Sequence, residues 1–152
     1  MPAKINNSTE LFNAVEKNDI ETVKRMVEEE GIILKSTTDK DYQTAAHIAT
    51  HHGNFPILTY LLKTDAHLLD ARDKWNQGVL HIAAKKGHLT IIKYLVDELN
   101  VDLNLEQNRI KGNTAMHMAA EAGHIPIVKW YLKEFAHPKG NPNLRNEEGE
   151  TL

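Results

Sequence analysis

The chain of 152 residues contains no cysteine. That excludes disulfide staples, thiolate nucleophiles and cysteine metal ligands, and it suits a reducing compartment. Aromatic residues make up only 6%, with two tryptophans, so either one exposed would stand out. Long apolar runs are missing too. Met1-Pro2-Ala3-Lys4-Ile5-Asn6-Asn7 has no hydrophobic core of a signal peptide, and no stretch approaches a membrane span. A cytoplasmic, soluble protein is the expectation. An excess of one sign of charge is lacking as well. A net charge of −3 gives no general electrostatic reason to bind nucleic acid, and only 4 of the 18 basic residues are arginine. Catalytic signatures are also wanting: there is no Gly-x-Ser-x-Gly and no phosphate-cradling glycine loop. No cofactor is expected, and no catalytic residue is assigned.

What the chain has is a recurring phrase. Gly112-Asn113-Thr114-Ala115-Met116-His117-Met118-Ala119-Ala120-Glu121-Ala122-Gly123-His124 holds the skeleton Thr-x-x-His-x-Ala-Ala-x-x-Gly-His. Thr114 suits a helix N-cap, because its hydroxyl can accept an orphan backbone N–H. Ala119 and Ala120 favour helix and permit close approach of a neighbour. Gly123 suits the left-handed turn that ends a helix, and Pro126 suits the first turn of the next. Earlier copies are Gly78-Val79-Leu80-His81-Ile82-Ala83-Ala84-Lys85-Lys86-Gly87-His88 and Thr44-Ala45-Ala46-His47-Ile48-Ala49-Thr50-His51-His52-Gly53-Asn54. A degenerate copy starts at Thr9. Phe12, His47, His81 and His117 are equivalent, at steps of 35, 34 and 36 residues.

These residues resemble the ankyrin-repeat family, whose unit is about 33 residues of turn plus two helices. Its signature, Thr-Pro-Leu-His-x-Ala-Ala-x-x-Gly-His, is matched from Thr9 onward over nearly the whole chain. In the three clear copies the proline is replaced by Ala45, Val79 and Ala115, and the leucine survives only at Leu80. The resemblance implies an all-α ankyrin-repeat solenoid of about four helix-turn-helix repeats with hairpin-like turns, plus the start of a fifth. A single domain over 1–152 is expected, with repeats near 8–38, 39–72, 73–108 and 109–145 and a truncated fifth at 146–152. Gly149 and Thr151 fall where Gly112 and Thr114 do, so the sequence reads as a fragment cut within a repeat.

Helical spacing places first helices near Thr9–Lys17 and Thr44–His52, and second helices at Ile20–Glu29, Pro56–Lys63 and Leu89–Leu99. The fourth repeat's stripe is Ile125, Ile127, Val128, Tyr131 and Leu132. Asn76 stands where the family has glycine, and asparagine also tolerates the left-handed turn. Gly78 replaces the capping threonine.

Nine histidines invite a metal reading, and His47 and His51 share one helix face. The zinc-protease motif needs Glu after the first His, and Ile48 stands there. By the resemblance, Thr44, His47, His81, Thr114 and His117 are structural, as are Gly53, Gly87 and Gly123. His51 and His52 fall outside that grammar, with a weak transition-metal or proton-linked role as the alternative to simple exposure. No metal site is assigned.

Relatives of this kind bind proteins on a concave face built from turn tips and first-helix surfaces. Carried over residue by residue, the turn tips are Lys40, Asp41 and Gln43, then Lys74, Trp75 and Gln77, then Ile110, Lys111 and Asn113. The helix positions are His51 and His52, Lys85 and Lys86, and Glu121 and Ala122. Trp75 among lysines suits a protein partner with an acidic segment and an apolar anchor, bound by a monomer. The alternative is a targeting domain of an enzyme whose catalytic part lies beyond residue 152. A nucleic-acid-binding protein is the weaker reading. Frequent Lys, Asn and Ile resemble ankyrin proteins of intracellular bacteria and parasites, which implies a possible host-directed effector.

Overall fold

A computed structural model describes residues 7–103 and 112–135. Ile110, Lys111 and the expected fifth repeat at 146–152 lie outside them. The described residues form eight α-helices in antiparallel pairs and no strand. The chain divides into two compact units between Lys74 and Trp75.

In the first unit, α1 (Asn7–Glu16) turns into α2 (Ile20–Glu28), and α3 (Ala45–His52) into α4 (Phe55–Thr64). Asn18 makes the first turn in the left-handed conformation, at φ 57°. Asp19 then caps α2, its carboxylate accepting Thr22 N–H at 3.2 Å and the Thr22 hydroxyl at 2.6 Å. Helix α1 packs on α3, and α2 on α4. Leu11 and Val15 of α1, Val23 and Met26 of α2, and Ile57, Leu58 and Leu61 of α4 are fully buried. Ala45, Ala46 and Ala49 line α3, so their small side chains let α1 and α4 approach on both sides. Single 3-10 turns at Leu34–Ser36 and Ala66–Leu69 bury Leu34 and Leu68 beneath the connections.

The second unit repeats the plan with α5 (Val79–Lys86), α6 (Leu89–Lys93), α7 (Ala115–Glu121) and α8 (Ile125–Phe135). Helix α5 packs along α7 through Ala83, Ala84, Ala115 and Ala119, all buried. Burying a leucine-sized side chain contributes roughly 1.5–3 kcal/mol. Leu80, Ile91, Ile92, Leu95, Met116 and Tyr131 are the large buried side chains here.

Two elements depart from the sequence expectation. The helix expected over Leu89–Leu99 is α-helical only to Lys93; Tyr94–Glu98 then widens into a π turn. A π turn takes up an additional residue without breaking the helix, and here Leu95 stays buried. Asn100, left-handed at φ 54°, ends the element, and Val101 N–H closes on the Leu95 carbonyl at 3.0 Å. In α8 the buried pair is Ile127 and Tyr131, one turn apart on the side facing α7. Ile125 and Leu132, expected in that stripe, are 56% and 41% exposed. Ile127 follows Ile125 by two positions, about 200° around the axis, which puts them on opposite sides of a helix.

Candidate functional site

Three first helices, α3, α5 and α7, begin with the same short circuit, whereas α1 carries Phe12 in place of the histidine. The Thr44 N–H donates to His47 Nδ1 at 3.1 Å, and its hydroxyl lies 2.9 Å from the same nitrogen. Thr114 and His117 repeat this at 3.3 and 2.8 Å, and His117 N–H returns to the Thr114 hydroxyl at 3.4 Å. In the third copy Gly78 N–H donates to His81 Nδ1 at 3.4 Å, without a hydroxyl to join it. A backbone N–H can only donate, so Nδ1 accepts, and a neutral ring carries its proton on Nε2. All three imidazoles are buried, and they hold the loop against the helix start.

The helices end as uniformly. Gly53 and Gly87 close α3 and α5 at φ 70° and 84°, and Gly123 follows α7 at φ 77°. The residue after the turn glycine ties back to the preceding repeat within its unit. Asn54 Nδ2 donates to the Val15 carbonyl at 2.6 Å, and His124 Nε2 sits 2.8 Å from the Lys85 carbonyl.

Between these fixed ends, burial is almost complete. Residues 45–50 of α3 and 79–84 of α5 are all buried, and only His51–His52 and Lys85–Lys86 reach solvent. In α7, residues 115–119 are buried, and Ala120, Glu121 and the following Ala122 are exposed. Helices α3, α5 and α7 therefore each offer one short exposed end, and its chemistry differs from repeat to repeat: two imidazoles, two ammonium groups, or a small apolar surface with one carboxylate.

The turn tips divide. In the first unit the Asp39 carboxylate takes the N–H groups of Asp41 and Gln43 at 2.8 and 2.9 Å, shaping a tight reversal. Lys40 is exposed; Asp41 and Gln43 are half-buried. Lys74 pairs with the Asp41 carboxylate and also gives its N–H to the Asp41 carbonyl at 3.0 Å. Two residues expected to meet a partner thus neutralise each other. In the second unit Trp75 is half-buried. Gln77 and Asn113, expected as partner contacts, are 7% and 3% exposed. Each precedes an N-cap, where the side chain turns inward; Asn113 Nδ2 lies 3.4 Å from Glu121 Oε2.

One surface residue escaped the sequence reading. Tyr42 occupies the place held by Asn76 and Gly112, takes φ 60° and is 64% exposed. The signal was available: an aromatic ring stood where the other copies put asparagine or glycine.

Among the described residues no group of three or more His, Asp or Glu side chains is placed to hold a metal. His51 and His52 are adjacent, with ring centroids 5.1 Å apart. Perturbed acidities fall on second helices and their caps, away from the tips. Burial, then the hydrogen bond to Glu28 at 2.9 Å, raises the Tyr60 phenol above its ordinary value. The Thr22 hydroxyl, then its N–H, lowers the Asp19 carboxyl. The hydrogen bond to Glu10, with Glu30 nearby, raises the Arg25 guanidinium. No described helix is long and apolar enough to cross a membrane.

A family model described as ankyrin repeats (3 copies) matches residues 11–107 and again 67–146. No curated protein matches the chain.

Proposed function

The chain belongs to the ankyrin-repeat family, and from that premise we propose that it binds a partner protein through the exposed ends of its first helices and the adjoining turn tips. Ankyrin repeats are generally protein–protein interaction modules, and domains of this kind are typically non-catalytic. The observation that carries the proposal is the contrast within α5. Six consecutive residues are buried, and the helix then presents Lys85 and Lys86 together to solvent. Two exposed ammonium groups on an otherwise packed helix favour a carboxylate-bearing segment. Trp75, half-buried in the same unit, supplies amphipathic surface for an apolar anchor. In the first unit, taken by itself, Lys40, His51 and His52 are the exposed residues of the corresponding positions. The repeat boundaries 8–38, 39–72, 73–108 and 109–145 form part of this proposal.

The test is affinity capture with two baits, the wild-type chain and a Trp75→Ala, Lys85→Glu, Lys86→Glu variant, followed by mass spectrometry. A protein retained by the first and lost by the second, and bearing an acidic segment, is the expected result. Identical captured sets would remove this surface from consideration.

A further inference from the structure

A second surface lies in the same unit, on the second helices of its repeats. Between the π turn that continues α6 and the outer part of α8 runs a groove of about 660 Å³. Among the described residues, Trp130 and Val96 give it apolar wall, both half-buried. Among the described residues its charged side chains are Asp97, Asp102 and Glu134 against Lys93, all four exposed.

The backbone explains this grouping. Trp130 and Glu134 are one turn apart on α8, so the indole and the carboxylate share a face. The π turn holds both Val96 and Asp97 at the groove. Lys129 and Lys133 of α8 do not line it; Lys133 lies 4.0 Å from Glu134, a loose and exposed pair worth little. The charge at this groove is therefore opposite in sign to that at the end of α5.

We propose that this groove docks a basic segment of a partner protein, with an arginine side chain laid on the Trp130 indole and its guanidinium paired to the carboxylates of Asp97 and Glu134. Arginine fits better than lysine, because its planar guanidinium stacks on an aromatic face and meets carboxylates in two-point fashion. An aromatic wall beside carboxylates rewards both properties at once. The same carboxylates repel acidic peptides and nucleic-acid phosphate. The inference is independent of the acidic partner proposed for the Lys85–Lys86 surface, and a single experiment separates them.

The chain has two tryptophans, so its nitrogen-15 spectrum shows two indole N–H signals, assignable with Trp75→Phe. The wild-type chain is titrated with an acetylated tetra-arginine amide, and in parallel with tetra-citrulline and tetra-glutamate. Tetra-arginine is expected to move the Trp130 signal saturably and leave that of Trp75 in place. Citrulline, which keeps the shape and loses the charge, should leave both unmoved, and tetra-lysine should bind several-fold more weakly than tetra-arginine. Asp97→Asn with Glu134→Gln, both at exposed positions, should weaken the arginine titration about tenfold or more. An unmoved Trp130 signal overturns the proposal, as does an equal response to citrulline or to the doubly substituted chain. A response of Trp75 to tetra-glutamate speaks only to the other surface.

Discussion

At the scale of single residues, the repeat motif was legible because its chemistry is local. A histidine three residues past an N-cap meets that residue's own N–H, so the spacing Thr44 to His47 already contains the contact. Tyr42 was legible only by comparison with Asn76 and Gly112 at the equivalent positions, since a turn at that point is expected whatever residue fills it. At φ 60° its Cβ sits in a conformation that costs an L-residue roughly 1–2 kcal/mol. Exposed at 64%, the ring recovers little of this by burial. Tyr42→Gly should therefore raise stability by about 1 kcal/mol in urea unfolding, even after the added freedom of glycine in the unfolded chain. A loss of stability would mean that the ring packs in solution. Asp19 gives a pH prediction. Its folded acidity is lowered by Thr22, so its contribution is fully present above the unfolded value near 3.8 and fades as pH falls through the folded one. Asp19→Ala should accordingly lower the melting temperature at pH 6 and converge with wild type in strong acid. A constant difference down to pH 2 would assign the effect to something other than the charged cap.

At the scale of elements, helix existence followed from periodicity, and the ends followed from capping residues. What could not be read was how a helix accommodates an extra residue, as at Tyr94–Glu98, or which side of α8 faces inward. Ile125, Val128 and Leu132 are as apolar as Ile127 and Tyr131, and only contact with α7 decides between them. The turns allow a sharper comparison. Gly87 and Gly123 have similar dihedrals, φ 84° and 77°, so an added Cβ incurs similar backbone strain at both. Their surroundings differ. A Cβ at Gly123 meets nothing within 4 Å, whereas one at Gly87 lands 2.7 Å from the His124 ring. That ring must then move, and its 2.8 Å contact with the Lys85 carbonyl is at stake. Gly123→Ala should cost about 1 kcal/mol of backbone strain, and Gly87→Ala about 1 kcal/mol more through the lost bond. In a double-mutant cycle, the excess at Gly87 should vanish when His124 is already alanine. Equal costs for the two glycines would show that His124 yields freely and that the tie between repeats carries no stability.

At the scale of the whole molecule, the same repeat grammar runs on both sides of Lys74–Trp75, where the chain divides into two compact units. Charge distribution adds what net charge concealed. Residues 1–74 carry nine basic and twelve acidic side chains, and residues 75–152 carry nine of each. The half bearing Lys85 and Lys86 is thus balanced overall, and any pull these lysines exert on an acidic partner is local. At physiological ionic strength a charge acts over roughly 8 Å, so the pair should assist encounter only near contact. Lys85→Glu with Lys86→Glu should slow association several-fold at low salt, with the difference shrinking toward 0.5 M sodium chloride and dissociation little changed. Trp75→Ala should do the reverse, since an aromatic anchor acts through residence time, and a loss on the order of 2 kcal/mol is typical of a hot spot. His81→Ala is the control for packing. It removes the buried imidazole that accepts Gly78 N–H and should cost on the order of 2 kcal/mol of folding stability. Surface plasmon resonance against a captured partner, at two salt concentrations, reads the rates separately, and urea unfolding reads the stabilities. If the lysine pair changed dissociation while Trp75 changed neither rate, the anchor would lie elsewhere, and the exposed Tyr42 tip of the first unit would be the next position to substitute.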